Sequence, residues 1–288
     1  MNCPTPTTLE AVAMLPPISL TVLQDEAAFL TRVDRKYLVP AADIPDLLAG
    51  ITGPVRALEI GGRRDFGYTT PYFDDDAMTA YLRAARRRPD RFKVRTRLYT
   101  DTGLCHLEVK VPDRRGQTIK RRTDHDPHRL RVLAGTDRLW LQDVPQVAPY
   151  AGHLCHCLTT YYTRFTLVLP DGTGRITVDR DMVFALPTGR AVSVTALAIV
   201  ETKGPGRPTE VDHALWRLGH RPLALSKFTV GLSLLLPDLP ANRWHRTRTR
   251  LEQAAEEVQC YSAIGQGRLY GAGVAAGATG FAGGWPAG

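Results

Sequence analysis

The chain has 288 residues, 43% of them hydrophobic, which is enough for a sizeable core in one large β-rich domain or two small ones. Lysine and arginine number 37 against 29 acidic residues, a net charge of +8, so nucleic acid, anionic lipid and polyanionic substrates are all admissible partners. The cysteines Cys3, Cys105, Cys155, Cys157 and Cys260 are odd in number and irregularly spaced; they give no disulfide framework and fit a reducing, cytoplasmic setting.

Met1 to Leu20 lacks a basic n-region and scatters Pro4, Pro6, Pro16 and Pro17, which argues against a signal peptide. No apolar run approaches the ~20 residues of a spanning helix. Residues 1–25 read as a flexible Pro/Thr-rich lead-in. The first strand is expected over Phe29 to Val39, followed by a short helix from Ala41 to Ala49 that Gly50 stops. Strands around Val55 to Ile60 and Arg64 to Phe73 lead to a helix from Asp76 to Arg87, with Asp74, Asp75 and Asp76 placed to cap it. Strands follow at Arg91 to Tyr99, His106 to Lys110 and Gln117 to Thr123, then a helix from Arg129 to Trp140. A hairpin is expected from Leu158 to Leu169 and Gly174 to Phe184, turning at Pro170-Asp171-Gly172. A single strand from Val192 to Lys203, a helix from Thr209 to Leu218 and a last ordered element from Ser226 to Leu236 complete the domain. Beyond Pro240 come a basic cluster, Arg243 to Arg250, then a helical stretch to Tyr261 and a Gly/Ala-rich stretch from Gly265 to Gly288, so 241–288 reads as a basic, then Gly/Ala-rich tail whose end is disordered. Many adjacent strands with short inserted helices predict an α+β fold, mostly antiparallel β, closed into a barrel.

The strands carry an unusual row pattern. With a two-residue period, Arg91, Lys93, Arg95 and Arg97 share one face, and Phe92, Val94, Thr96 and Leu98 the other. The next strand repeats it, with His106, Glu108 and Lys110 opposite Cys105, Leu107, Val109 and Val111. Lys120 and Arg122 share a face, as do Arg175, Thr177 and Asp179, and Glu201 and Lys203. Any one such row is ordinarily the solvated face of a sheet. Repeated over five strands, and dominated by arginine and lysine, the rows point instead to a polar barrel interior filled by phosphate.

The ordered set Arg32-Val33-Asp34-Arg35-Lys36-Tyr37, Tyr72-Phe73-Asp74-Asp75 with Tyr81, Lys93-Val94-Arg95-Thr96-Arg97-Leu98-Tyr99, Leu107-Glu108-Val109-Lys110, Lys120-Arg121-Arg122, Arg175-Ile176-Thr177-Val178-Asp179, Val200-Glu201-Thr202-Lys203 and Ser226-Lys227-Phe228 resembles the VTC domain. This is the polyphosphate polymerase branch of the triphosphate tunnel metalloenzymes, and the likeness spans about residues 29 to 236. It implies an eight-stranded β-barrel tunnel with short peripheral helices over residues 26–240, and transfer of the terminal phosphoryl group of ATP to a growing polyphosphate chain. By the same resemblance Lys36, Arg95, Arg97 and Lys227 are catalytic, while Lys110, Lys120, Arg122, Arg175, Lys203 and Ser226 bind substrate. Glu201, then Glu108, then Asp179 would hold Mg²⁺ or Mn²⁺, which suit oxygen ligands.

One departure concerns the Glu-x-Glu-x-Lys pattern with which tunnel enzymes commonly begin: Arg32 stands at the first glutamate, and only Asp34-Arg35-Lys36 matches the rest. That weighs against the triphosphatase and adenylate cyclase branches more than against the VTC branch. The alternatives are a non-catalytic polyphosphate or anion-binding module and a tunnel triphosphatase. His153-Leu154-Cys155-His156-Cys157 lacks the spacing of structural zinc. The basic run from Arg83 to Arg91 has no aromatic platform for nucleic acid and reads as a solvated helix end or a basic collar at the tunnel mouth. No nucleic acid is expected as partner, and membrane attachment would need a partner protein. The lead-in is too short for the helical inositol-phosphate sensor found in some relatives.

Overall fold

The computed structural model of the chain describes residues 7–27, 33–113, 118–169, 174–204 and 206–259. The start of the expected first strand, Arg32, Gln117, the turn at 170–172 and the Gly/Ala-rich stretch lie outside the described residues. In chain order the strands are β1 (Pro17–Ile18), β2 (Val33–Pro40), β3 (Arg56–Leu58), β4 (Phe66–Asp74), β5 (Lys93–Tyr99), β6 (Cys105–Pro112), β7 (Thr118–Asp124), β8 (Cys155–Val168), β9 (Arg175–Ala185), β10 (Arg190–Val194), β11 (Leu197–Gly204) and β12 (Glu256–Gln259). The helices are α1 (Thr8–Ala13), α2 (Leu20–Ala27), α3 (Ile44–Ala49), α4 (Thr79–Ala85), α5 (Gly135–Gln142), α6 (Glu210–Arg217), α7 (Lys227–Leu235) and α8 (His245–Gln253).

The architecture is α+β and mostly antiparallel. Ladders run in the order β7-β6-β5-β4-β8-β9-β11-β2, an eight-stranded path. Its two edge strands, β2 and β7, share no ladder, so hydrogen bonding among the described residues leaves the sheet open where a closed barrel was expected. The sheet nevertheless curls. Lys36 on β2 lies near enough to Lys93 on β5 and Lys110 on β6 to repel both, although these strands are far apart along the path.

The expected strand over Val192 to Lys203 is two strands. β11 pairs with β9 at Arg175–Asp179, while β10 pairs with β9 at Met182–Ala185. Asp181, with a left-handed φ of 51°, sits between the two stretches and lets β9 serve a partner on each side of the bend. The lead-in holds more structure than its composition signals, and the helix expected in the tail starts earlier, within the basic cluster. Residues 8–27 form α1, β1 and α2, with β1 parallel to β3. Past residue 240, α8 packs by Leu251 into the core, and β12 extends the sheet beside β10. The expected helix from Arg129 to Trp140 is instead a 3-10 turn at Pro127–Arg129 followed by α5. α4 starts later than expected. Its cap is real: Asp74 accepts from the backbone N–H groups of Asp75, Ala80 and Tyr81 at 2.8–2.9 Å, and Asp75 from that of Thr79 at 2.8 Å.

Over most of the sheet the apolar faces of the strands point outward. Tyr37 and Val39 of β2, Phe165 and Leu167 of β8, Ile176 and Val178 of β9 and Val200 of β11 pack under α3 and α6, through Ile44, Leu47, Val211 and Leu215. Val94, Leu107 and Val109 join a cluster with Leu141 and Val144 at the α5 side. α7 belongs to the other face. Phe228 stacks on Tyr72 at 5.2 Å, and a Cβ on Gly231 would come within 2.5 Å of the Phe184 ring, so only glycine permits this approach to β9. α7 thus fills one end of the concave side and leaves the rest to polar residues.

One buried carboxylate ties the open edge to its cover. Asp212 of α6 accepts from Tyr37 Oη at 2.6 Å, Thr202 Oγ1 at 2.7 Å, and the Thr209 backbone N–H and Oγ1 at 2.7 and 2.9 Å. Removing it leaves several buried donors unpaired. Asp212→Ala is expected to lower unfolding stability by about 3 kcal/mol in urea titration, with Asp212→Asn intermediate; a change within experimental error would remove Asp212 as the tie of β2.

Candidate functional site

Register places the charged rows on one concave wall. Across β5 and β6, Lys93 faces Lys110, Arg95 faces Glu108 and Arg97 faces His106; across β6 and β7, Glu108 faces Arg122 and Lys110 faces Lys120. On the other side Lys203 faces Arg175 and Asp34, and Glu201 faces Lys36 and Thr177. Two adjacent unit charges about 5 Å apart repel by roughly 3 kcal/mol at an effective dielectric near 20. A wall of cations therefore needs carboxylates within it.

Three carboxylates meet this need, each between cations. Glu108, fully buried, accepts from Arg95 Nε at 2.8 Å and Nη2 at 2.5 Å on one oxygen and pairs with Lys120 through the other. Asp179 takes a two-pronged contact from Arg164, with Nη2 to Oδ2 at 2.8 Å, and a second cation from Lys227. Glu201 pairs with Lys203, which also reaches Asp34 at 3.2 Å, and has Lys36 opposite it on β2. Burial opposes charge on all three, yet the surrounding cations prevail. Arg95, Arg97 and Lys120 hold Glu108 well below the usual carboxylate range, Lys36 and Lys203 do so for Glu201, and Arg164 and Lys227 bring Asp179 down to about 2.

The lysines show the cost of the excess positive charge. Burial, then Lys36, Arg95, Arg243 and Arg91, lower Lys93 to about 7. Lys110 is lowered by Arg95 first, then by burial, Arg97 and Lys36, with Glu201 partly opposing. Lys93 Nζ donates to Ser226 Oγ at 2.9 Å, which seats the start of α7 in the wall. Lys93 therefore belongs inside with Arg95 and Arg97. Arg122 is exposed, on the edge strand.

The structure adds residues that the rows did not single out. Arg164 is the chief partner of Asp179, and its guanidinium lies 5.2 Å from the Tyr68 ring centroid and 5.4 Å from that of Tyr162. Those rings stack on each other at 5.0 Å; Arg97 lies over Tyr68 at 5.5 Å and Lys227 over Tyr162 at 4.2 Å. Burial raises the Tyr162 phenol, but Arg97, Arg164 and Lys227 outweigh it and bring it below its ordinary value. Its hydroxyl, like Arg97 Nε and Thr177 Oγ1, is buried without a hydrogen-bond partner among the described residues. The alternation of Tyr162, Arg164 and Thr166 against Phe165 and Leu167 is the signal that could have found them. Arg164 is the single charge in that row, which keeps the row from standing out beside the cationic ones.

Among the described residues no group of three or more His, Cys, Asp or Glu side chains is placed to cage a metal ion. The three acids instead stand apart, each between cations. An all-oxygen donor set of this kind fits a hard divalent ion that takes most of its ligands from phosphate and water and only one or two from protein. It does not fit a thiolate- or imidazole-bound metal.

A family model described as the VTC domain matches residues 31–236, and the chain belongs to that family. No curated protein matches the sequence. Among solved structures, an adenylyl cyclase candidate from Hippeastrum, described as having a dominant triphosphatase activity, is 18% identical with a TM-score of 0.46, covering 74% of this chain and 100% of that one. An adenylate cyclase candidate from Vibrio parahaemolyticus is 13% identical with a TM-score of 0.36, covering 77% and 98%. The PH1012 protein from Pyrococcus horikoshii, also 13% identical with a TM-score of 0.36, covers 66% and 88%.

Glu108→Gln is expected to leave Arg95 and Lys120 buried without their acid and to cost about 3 kcal/mol in unfolding by urea. Added tripolyphosphate should recover much of that stability; a deficit that the anion leaves untouched would mean that Glu108 acts by packing alone.

Proposed function

We propose that the chain is a polyphosphate polymerase, working in the cytoplasm, that transfers the terminal phosphoryl group of ATP to a growing polyphosphate chain within the curl of the sheet, which serves as the tunnel. The observation that carries this reading is the surplus of cations on an enclosed wall. After Glu108, Asp179 and Glu201 are matched with Arg95, Lys120, Arg164, Lys227, Lys203 and Lys36, Arg97 forms no ion pair among the described residues, and burial together with the neighbouring cations pushes Lys93 and Lys110 toward their neutral forms, so basic groups outnumber acids on the wall. A linear polyanion is the ligand that would relieve it along the length of several strands.

In this reading Arg95, Arg97, Lys120, Arg122 and Arg175 bind the phosphate chain, arginine by its planar fork and lysine as a point charge. Lys110, Lys203 and Ser226 add contacts. Lys227 and Lys36 orient the phosphoryl group in transfer. Glu201 is the first candidate to hold Mg²⁺ or Mn²⁺, with Glu108 and Asp179 next; such an ion, when bound, supplies charge neutralisation at phosphate oxygens. Phosphoryl transfer passes through a loose transition state, so positioning and electrostatic stabilisation are the main requirements. The acceptor is itself a phosphate and needs no strong base.

Incubation of the protein with γ-labelled ATP and Mn²⁺ tests the reading. Label in long chains is the expected result; label released as orthophosphate would make the protein a triphosphatase, and no turnover with retained binding would make it an anion-binding module. Glu201→Gln is expected to abolish metal-dependent product in a chain that still folds cooperatively at reduced stability; a fully active, still metal-dependent variant would sink that assignment.

Lys93 supplies a second check. With a value of about 7 in the folded chain against an ordinary 10.5, it is largely neutral at pH 8, and the unfolded state binds more protons between these values. Its contribution to stability therefore rises with pH across that window. A bound polyanion raises its proton affinity again, so tripolyphosphate binding at pH 8 should take up protons, seen by calorimetry in buffers of different ionisation enthalpy. Lys93→Met should take up fewer; equal uptake would place the proton elsewhere.

A further inference from the structure

Two arginine-rich segments that are distant in the chain meet at the end of α4. Arg243 Nη1 donates to Ala84 O at 3.1 Å across 159 positions of sequence, docking the turn before α8 on the last turn of α4. There it lies beside Arg87 and Arg91, near enough that their charges destabilise its own. Arg91 and Arg243 also act on Lys93, which bonds Ser226 inside the wall. Positive charge is thus continuous from the concave wall at Lys93 out to the molecular surface, where Arg87 and Arg243 are exposed and Arg91 is half-buried.

The ordinary explanation is that arginines near a helix C-terminus complement its dipole. The contact from Arg243 to Ala84 O already does that. Asp90, the carboxylate within the 86–91 run, pairs with Arg83, and among the described residues Arg87, Arg91 and Arg243 form no ion pair. Arg87 also holds a left-handed backbone, φ 53°, that a residue with a β-carbon adopts only at a cost. Three like charges brought together at the surface from distant segments, without an acid, form a place for an anion.

We propose that Arg87, Arg91 and Arg243 form a second, external polyphosphate-binding collar, which holds the part of a long chain that has left the concave wall past Lys93. This rests on the function proposed above. A short phosphate chain is held by the wall alone, whereas a long one spans both surfaces, and the linked sites add to its affinity through effective concentration.

The test compares binding of tripolyphosphate and of long-chain polyphosphate to the full chain, without ATP, over a range of salt. Two variants are used: Arg87→Gln/Arg91→Gln, and the same with Arg243→Gln. The first keeps the Arg243 bond to α4 and so guards against misfolding. The expected result is tripolyphosphate affinity within about twofold of wild type, with long-chain affinity reduced about tenfold and its log–log salt slope smaller by roughly 0.7 for each phosphate that the collar no longer neutralises. Equal effects on both ligands, or none on either, overturn the collar. Loss of single-stranded RNA binding with long-chain polyphosphate binding intact overturns it in favour of a nucleic-acid surface. A wild-type protein that binds neither phosphate ligand refutes the functional reading itself, which separates that failure from failure of the collar.

Discussion

Placing cations on the concave face of a curled sheet sets the terms for everything else in this fold. Neighbouring charges at cross-strand spacing repel by a few kcal/mol per pair, so an unrelieved wall would approach the whole net stability of a domain, about 5–15 kcal/mol. Glu108, Asp179 and Glu201 relieve it in three separate places, each between cations on neighbouring strands or on α7. Spacing matters more than number here. Had the acids been gathered, they would have formed a ready cation cage and left the far lysines unopposed. Spread out, they hold the wall together while leaving it net positive.

A polar interior also forces the hydrophobic core outward. In an ordinary barrel the inward residues are the core; here Tyr37, Phe165, Ile176 and Val200 face out and need α3 and α6 as cover, while Val94, Leu107 and Val109 need the α5 region. The short helices between strands are therefore structural necessities. α7 is the exception, because its apolar body packs on the concave side at Phe184 and Leu158. Its first residues, Ser226 and Lys227, deliver a hydroxyl and an ammonium to the wall.

The rows on β5, β6, β9 and β11 were legible in the sequence because strand alternation is strict and each row repeats the same chemistry. Glu108, Asp179 and Glu201 could be found on that basis alone. What alternation cannot show is which face becomes the inside, since charged rows on a solvated sheet look the same. Arg164 alternates in step with Tyr162 and Thr166, but it is the single charge of that row, so the row did not stand out; the irregularity beside it lies on β9, where Asp181 is the extra residue. The tyrosines around it looked like ordinary strand formers; only packing reveals that Tyr68 and Tyr162 stack beneath guanidinium groups. The break between β10 and β11 escaped because a local backbone bend at Asp181, on a different strand, decides it. The helical stretch expected after the basic cluster is α8, which begins within that cluster and is anchored by the buried Trp244 and Leu251; β12 escaped because its polar residues become a strand only by pairing with β10.

Among the described residues β2 and β7 share no ladder, and both edges carry cations. β7 carries Lys120 and Arg122 toward the concave side, and β2 carries Lys36. Zipping the two edges together would bring these cations to cross-strand distance, and Glu108 and Glu201, each already shared between two cations, would not offset the added repulsion. Tyr37 and Asp212 hold β2 to α6 and β11, so that edge is stable without a partner strand. The described edges thus present a cationic face that an anion is suited to bridge.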